Sequence, residues 1–136
     1  MSIKILTEAS GSLTAAYLIK YIQAAGHKAV ASDIVADCAG RFIADDFILM
    51  PKVSDEKLWD KITISLKERE VDVVIPSLDE MLLGWAERKD YFRDMGITVI
   101  CSSPLTIKIC QDKWLTHQFF SKNDIPTPAT SLTQDY

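Results

Sequence analysis

The sequence has little of what would make a secreted, membrane-spanning or nucleic-acid-binding protein. It holds three cysteines in 136 residues, Cys38, Cys101 and Cys110. Their odd number and the lack of any Cys-x-x-Cys spacing argue against a disulfide framework or a zinc site, and all three read as small buried hydrophobes. No apolar run approaches the ~18 residues that span a membrane. The start, Met1-Ser2-Ile3-Lys4-Ile5-Leu6, lacks the basic segment, apolar stretch and cleavage site of a signal peptide, so the expected location is cytoplasmic. Lys and Arg number 15 against 19 Asp and Glu, with no basic cluster. The phosphate-neutralising surface of a nucleic-acid binder is therefore missing. His27 and His117 have no Cys or carboxylate at metal or catalytic spacing, and no Ser-His-Asp set can be assembled.

What remains is ordinary globular composition, 48% hydrophobic and 25% charged. A chain of this length can bury roughly two-thirds of the surface it exposes when unfolded. Residues 3–7 read as a strand. Ala15, Leu18, Ile19, Ile22 and Ala25 then form one apolar helical stripe, closed by Gly26 as a left-handed C-cap. Further strands are expected at 28–33, at 47–50 before Pro51, at 71–76 and at 97–101. The β-branched run Val71-Asp72-Val73-Val74-Ile75 has the character of a central parallel strand. Ser54, a capping box of Ser77 with Glu80, Ser103 before Pro104, and Asp112 supply the expected helix starts. The last of these helices ends near Asn123. Alternating strands and helices imply right-handed crossovers. The expected fold is α/β, a Rossmann-like three-layer α/β/α domain with a mostly parallel sheet of about five strands. It occupies residues 1–124. After Ile125-Pro126-Thr127-Pro128 the periodicity stops, and residues 125–136 read as a linker and the start of something else.

In such sheets ligands bind beyond the carboxyl ends of the strands. Four places qualify. The turn Glu8-Ala9-Ser10-Gly11-Ser12 leads into a helix whose N–H groups could hold an anion. A dinucleotide fingerprint needs three glycines, however, and only Gly11 is present. Asp33 ends the second strand where a ribose-binding acid sits in dinucleotide folds, but Asp is also a turn former. Asp79 and Glu80 follow the strongest strand. Either they complement a helix N-terminus, or Glu80 faces the cleft and contacts a substrate amine or a neighbouring loop. Lys113 lies in a first helical turn, where the macrodipole disfavours a cation, and a nearby phosphate would explain it.

Three stretches carry a resemblance. They are Ala39-Gly40-Arg41-Phe42-Ile43-Ala44-Asp45, Val73-Val74-Ile75-Pro76-Ser77-Leu78-Asp79-Glu80, and the run from Ser103-Pro104 through Cys110-Gln111-Asp112-Lys113-Trp114 to Ile125-Pro126-Thr127-Pro128. Taken together, the chain resembles the N-terminal domain that precedes the ATP-grasp fold in carboxylate–amine ligases, with likeness to proteins related to the large subunit of carbamoyl-phosphate synthase. The first turn departs from that family's richer glycine loop. The resemblance implies a parent enzyme that uses ATP and Mg2+ to form an acyl phosphate for attack by an amine. Lys113 would touch the ATP phosphates, while Gly11, Ser12, Asp33, Asp79 and Glu80 would line the substrate side. No catalytic residue or metal ligand is assigned within the chain, and neither ATP nor Mg2+ is expected to bind it tightly. Its expected partners are an ATP-grasp domain after Tyr136 and small carboxylate and amine substrates, not nucleic acid or a membrane. The helix from 112 to 123 could also join two copies, which light scattering would detect.

The alternative is a free-standing nucleotide-binding or regulatory module. Tight binding of ATP, NAD or AMP to the chain alone would favour it, because half a cleft should bind weakly. A receiver domain fits less well, since Met50-Pro51 stands where its phospho-accepting Asp would end strand three. An NAD-linked dehydrogenase lacks its glycines.

Overall fold

The computed structural model describes residues 1–132. They form β1 (Lys4–Thr7), α1 (Leu13–Ala24), β2 (Lys28–Asp33), α2 (Ala39–Ile43), β3 (Asp46–Leu49), α3 (Leu58–Glu68), β4 (Val73–Ile75), α4 (Asp79–Glu87), α5 (Lys89–Asp94), β5 (Thr98–Val99), α6 (Pro104–Gln111) and α7 (Lys113–Lys122). The chain divides into two compact units, the first Met1–Cys101 and the second beginning at Ser102. The expected linker at 125–136 belongs to the second, and its residues 133–136 lie outside the described residues.

The first unit is Rossmann-like. Its five strands are all parallel, in the order β3-β2-β1-β4-β5. Strand alternation sends Leu6, Val30, Ile48 and Val74 to one face, where they meet Ile62 and Leu66 of α3, Met81 and Trp85 of α4 and Phe92 of α5. Ile5, Ala29 and Ala31 face the other way, against Ile19 and Ile22 of α1 and Ile43 of α2. Trp85 and Phe92 are fully buried, and Trp59 meets Trp85 edge-on with ring centroids 5.0 Å apart.

Three joints on the amino side of the sheet share one device. After α1, α3 and α5, a residue with positive φ closes the helix and hands the chain to the next strand: Gly26 (84°), Glu70 (52°) and Gly96 (81°). In each, the following amide returns to a carbonyl five residues back, His27 to Ile22 at 3.1 Å, Val71 to Leu66 at 3.0 Å and Ile97 to Phe92 at 2.9 Å. This is the Schellman closure. Gly26 is thus the C-cap its position suggested, whereas Glu70 holds the same conformation against the usual steric preference.

Several local expectations need correction. Ser54 does not cap α3. The helix starts four residues later, and the carboxylate of Asp55 instead accepts the Lys57 amide at 2.9 Å. The Ser77–Glu80 capping box does not form, because α4 begins after Leu78 without a side-chain cap. Cys38 is buried, but Cys101 is half-buried and Cys110 exposed. Ser103 and Asp112 do cap, accepting amides of Thr106 at 3.2 Å and of Trp114 and Leu115 at 2.8 and 2.9 Å.

Candidate functional site

The strand order reverses between β1 and β4, so their carboxyl ends define the crevice where open α/β sheets bind ligands. Beside it lies a pocket of about 580 Å3. Its polar side is made by Glu8, Ser32, Asp33, Lys52, Ser54 and Glu80, and its walls include Met50, Val53, Ile62, Leu78 and Met81. An apolar cavity with a few convergent polar groups is the usual character of a small-molecule site.

Glu8 is the buried centre of this region, only 4% exposed. One carboxylate oxygen accepts the Trp85 indole N–H at 2.8 Å, and the other accepts the Ser77 amide at 3.2 Å and the Leu78 amide at 3.5 Å. The Ser77 hydroxyl donates to the Glu8 carbonyl at 2.9 Å. Glu8 therefore ties the end of β1 to the start of α4. Burial pushes its carboxyl above the usual range, opposed by the hydrogen bonds from Trp85, Ser77 and Leu78.

The turn after β1 is closed on itself. Ala9 holds a positive φ of 49°. The Ser10 amide donates to Ser32 O at 3.1 Å and the Ser12 amide to Ala9 O at 2.9 Å. The Gly11 amide donates to Asp33 Oδ2 at 2.9 Å. Ser12 caps α1, its hydroxyl accepting the Ala15 amide at 3.2 Å. The Ser10 hydroxyl donates to Thr7 O at 3.2 Å and accepts the Ser32 amide at 3.0 Å. Gly40 presses α2 on to this turn, and a Cβ there would lie 2.4 Å from Ser10 Cβ.

Of the expected site residues, Asp33 and Glu80 share the pocket, and Glu8 stands beside them. Gly11 and Ser12 sit in the adjoining turn, with Gly11 bonded to Asp33. Asp79 and Glu80 are exposed in the first turn of α4. Lys113 is exposed at the start of α7 in the second unit, and that helix's first amides are taken by Asp112. Glu8 was not singled out from the sequence. The signal available was an acid directly after the central strand, with a tryptophan inside the facing helix. Among the described residues no group of three or more His, Cys, Asp or Glu is arranged to hold a metal ion, and no helix is long and apolar enough to cross a membrane.

The same architecture occurs in solved structures of larger proteins. N5-carboxyaminoimidazole ribonucleotide synthetase from Thermotoga maritima superposes with a TM-score of 0.69 at 22% identity, over 98% of this chain and 34% of that one. The biotin carboxylase domain of a single-chain bacterial carboxylase gives 0.67 at 17%, over 97% and 32%. A Mycobacterium tuberculosis structure described as glycinamide-RNase-transformylase T gives 0.71 at 12%, over 93% and 37%. The chain thus spans about a third of these proteins. No curated protein matches the sequence. Fold and crevice define the class as a Rossmann-like α/β domain of the kind these larger proteins contain. Residues 5–100 match the family described as PylC-like, N-terminal domain, and the chain belongs to that family.

Proposed function

We propose that the chain is the substrate-side domain of an ATP-dependent carboxylate–amine ligase, similar to carbamoyl-phosphate synthase and acting through an acyl phosphate. The observation that carries this reading is a pocket beside the β1/β4 switch point, in a member of this family, bordered by the carboxylates of Glu8, Asp33 and Glu80. Glu80 is exposed at the pocket's edge and free of the bracing that occupies Glu8, which suits it to accept hydrogen bonds from a substrate amine. The apolar walls would exclude water from the substrate's chain. Among residues 1–132 no three or more His, Cys, Asp or Glu are grouped to hold a metal ion, and Lys113 is the candidate contact for ATP phosphates. The phosphoryl-transfer groups would belong to an ATP-grasp domain, as phosphoryl transfer relies on metals and positioned cations.

On this reading the 136-residue chain does not turn over ATP alone, and a polypeptide that joins it to an ATP-grasp domain does. Trapping an acyl phosphate with hydroxylamine, together with ADP release, measures the joined activity. Glu80→Gln is expected to raise KM for the amine more than it lowers ADP formation. Magnesium-dependent hydrolysis by the chain alone, abolished in Lys113→Ala, would overturn the reading.

A further inference from the structure

The Rossmann topology places a helix N-terminus and an acid at the end of β2 side by side, an arrangement that elsewhere receives a phosphate and a ribose. In this chain the two are bonded to each other. Asp33 Oδ2 accepts the Gly11 amide at 2.9 Å, and Oδ1 accepts the Val35 amide at 3.0 Å. Other amides of the turn are committed as well, Ser10 to Ser32 O, Ser12 to Ala9 O and Ala15 to the Ser12 hydroxyl. A phosphate approaching Gly11 would have to break its bond to Asp33 and would meet a carboxylate where it needs a donor.

We infer that Asp33 is a specificity-determining residue: it acts as an internal anion that occupies the phosphate position of the fold and keeps phosphorylated ligands out of the neighbouring pocket. Three further features agree. The pocket that Asp33 borders also carries Glu8 and Glu80 against a single lysine, Lys52, so its field repels phosphate. The turn has one glycine, and even at Gly11 a Cβ would stand 3.3 Å from Asp33 Oδ2, so the carboxylate fills the space that phosphate would use. Gly40 donates its amide to Ser10 O at 2.8 Å, which pins the turn from behind and prevents it from reopening towards a ligand. Neither nucleotide nor sugar phosphate then docks on the turn after β1, and the pocket beside it favours molecules that bring no phosphate of their own. The inference rests on reading this pocket as the ligand site, but not on the presence of an ATP-grasp domain.

The test uses the chain alone, so that it reads independently of ligase activity. Pyrophosphate and AMP are titrated into 15N-labelled protein while the amides of Gly11, Ser12 and Val35 are followed. The wild type is expected to show no saturable shift. Asp33→Asn removes the charge but keeps an acceptor, whereas Asp33→Ala frees both amides. Affinity should rise in the order wild type, Asn, Ala, with a gain of ~10-fold or more for Ala, as expected when a like charge within a few ångströms is removed. Asp33→Ser provides a second neutral variant should the alanine protein fold poorly, and it should likewise exceed the wild type. Saturable binding of either probe at these amides in the wild type would overturn the inference. So would folded neutral variants that bind no better than the wild type.

Discussion

Replacing Trp85 with phenylalanine separates the two roles of that side chain through pH. The indole N–H donates to a carboxylate that is 4% exposed, and the ring packs against Trp59 and Phe92 at centroid distances of 5.0 and 5.1 Å. A hydrogen bond to a buried charge contributes about 1.5–3 kcal/mol. The smaller ring loses about 1–2 kcal/mol of burial and packing. Towards pH 8, as Glu8 ionises, Trp85→Phe should therefore destabilise the protein increasingly, by up to about 2.5–5 kcal/mol. Burial raises the Glu8 carboxyl above its unfolded value, so the folded state holds this proton to higher pH than the unfolded state. The stability tied to that proton is present in acid and lost as pH rises from about 4.3 through the raised value. Removing the indole donor, the strongest interaction opposing burial, raises the folded value further and steepens the loss. At pH 4 the acid is neutral in the folded protein, and the cost of the substitution should shrink to about 1–2 kcal/mol, the packing part. Urea unfolding of both proteins at the two pH values, followed by circular dichroism, measures the difference. An equal loss at pH 4 and pH 8 would refute the assignment of Trp85 as donor to an ionised Glu8.

Gly40→Ala should destabilise by about 1–3 kcal/mol, since its Cβ would stand 2.6 Å from Ser10 O, a backbone atom. Gly26→Ala meets nothing within 4 Å and should cost only the φ strain, about 1–2 kcal/mol; urea midpoints compare the two. Glu70→Gly should stabilise by about 0.5–1 kcal/mol in thermal unfolding, because it relieves a φ of 52° and gives up only an exposed ion pair with Lys4. Asp45 is held below the usual carboxylate range by the Lys28 ammonium first and the Ala29 amide second. Its contribution is present above the unfolded value of about 3.9 and fades as pH falls through the lower folded one. Asp45→Asn should therefore lower stability at pH 7 and converge on the wild type near pH 2.

The strands were legible as short apolar runs set between turn residues, and β2 coincides with its expected residues 28–33. The ends of β4 and β5 were less so. Val71 looks like strand in sequence, but its amide closes α3 on Leu66. At the sheet's edge β5 pairs with β4 alone, through Thr98 and Val99. The short helices α2 and α5 were missed, since five and six residues carry too little periodicity to register. The pocket lies at the strand ends that the topology rule singles out, and two of the candidates chosen by that rule, Asp33 and Glu80, line it. What could not be read locally was who bonds to whom. Ser77 has the spacing of a cap but donates to Glu8, 69 residues away. Asp33 has the placement of a ribose ligand but serves Gly11, 22 residues earlier. Both are contacts that exist only once the sheet has assembled.

The repeated closure of α1, α3 and α5 divides the first unit into a fixed and a variable end. At the amino side of the strands, each joint is a tight turn with prescribed backbone bonds, and an insertion there would shift the register of the strand that follows. At the carboxyl side, the connections to the next helices run through the loops that border the pocket, and they are held at a few points, Glu8 to Ser77 and Trp85, Asp33 to Gly11 and Gly40 to Ser10. A new ligand preference can therefore be grafted through the exposed residues Ile34, Val35, Lys52, Val53 and Ser54 without disturbing the sheet. The domain is a socket with interchangeable contacts on a rigid plug.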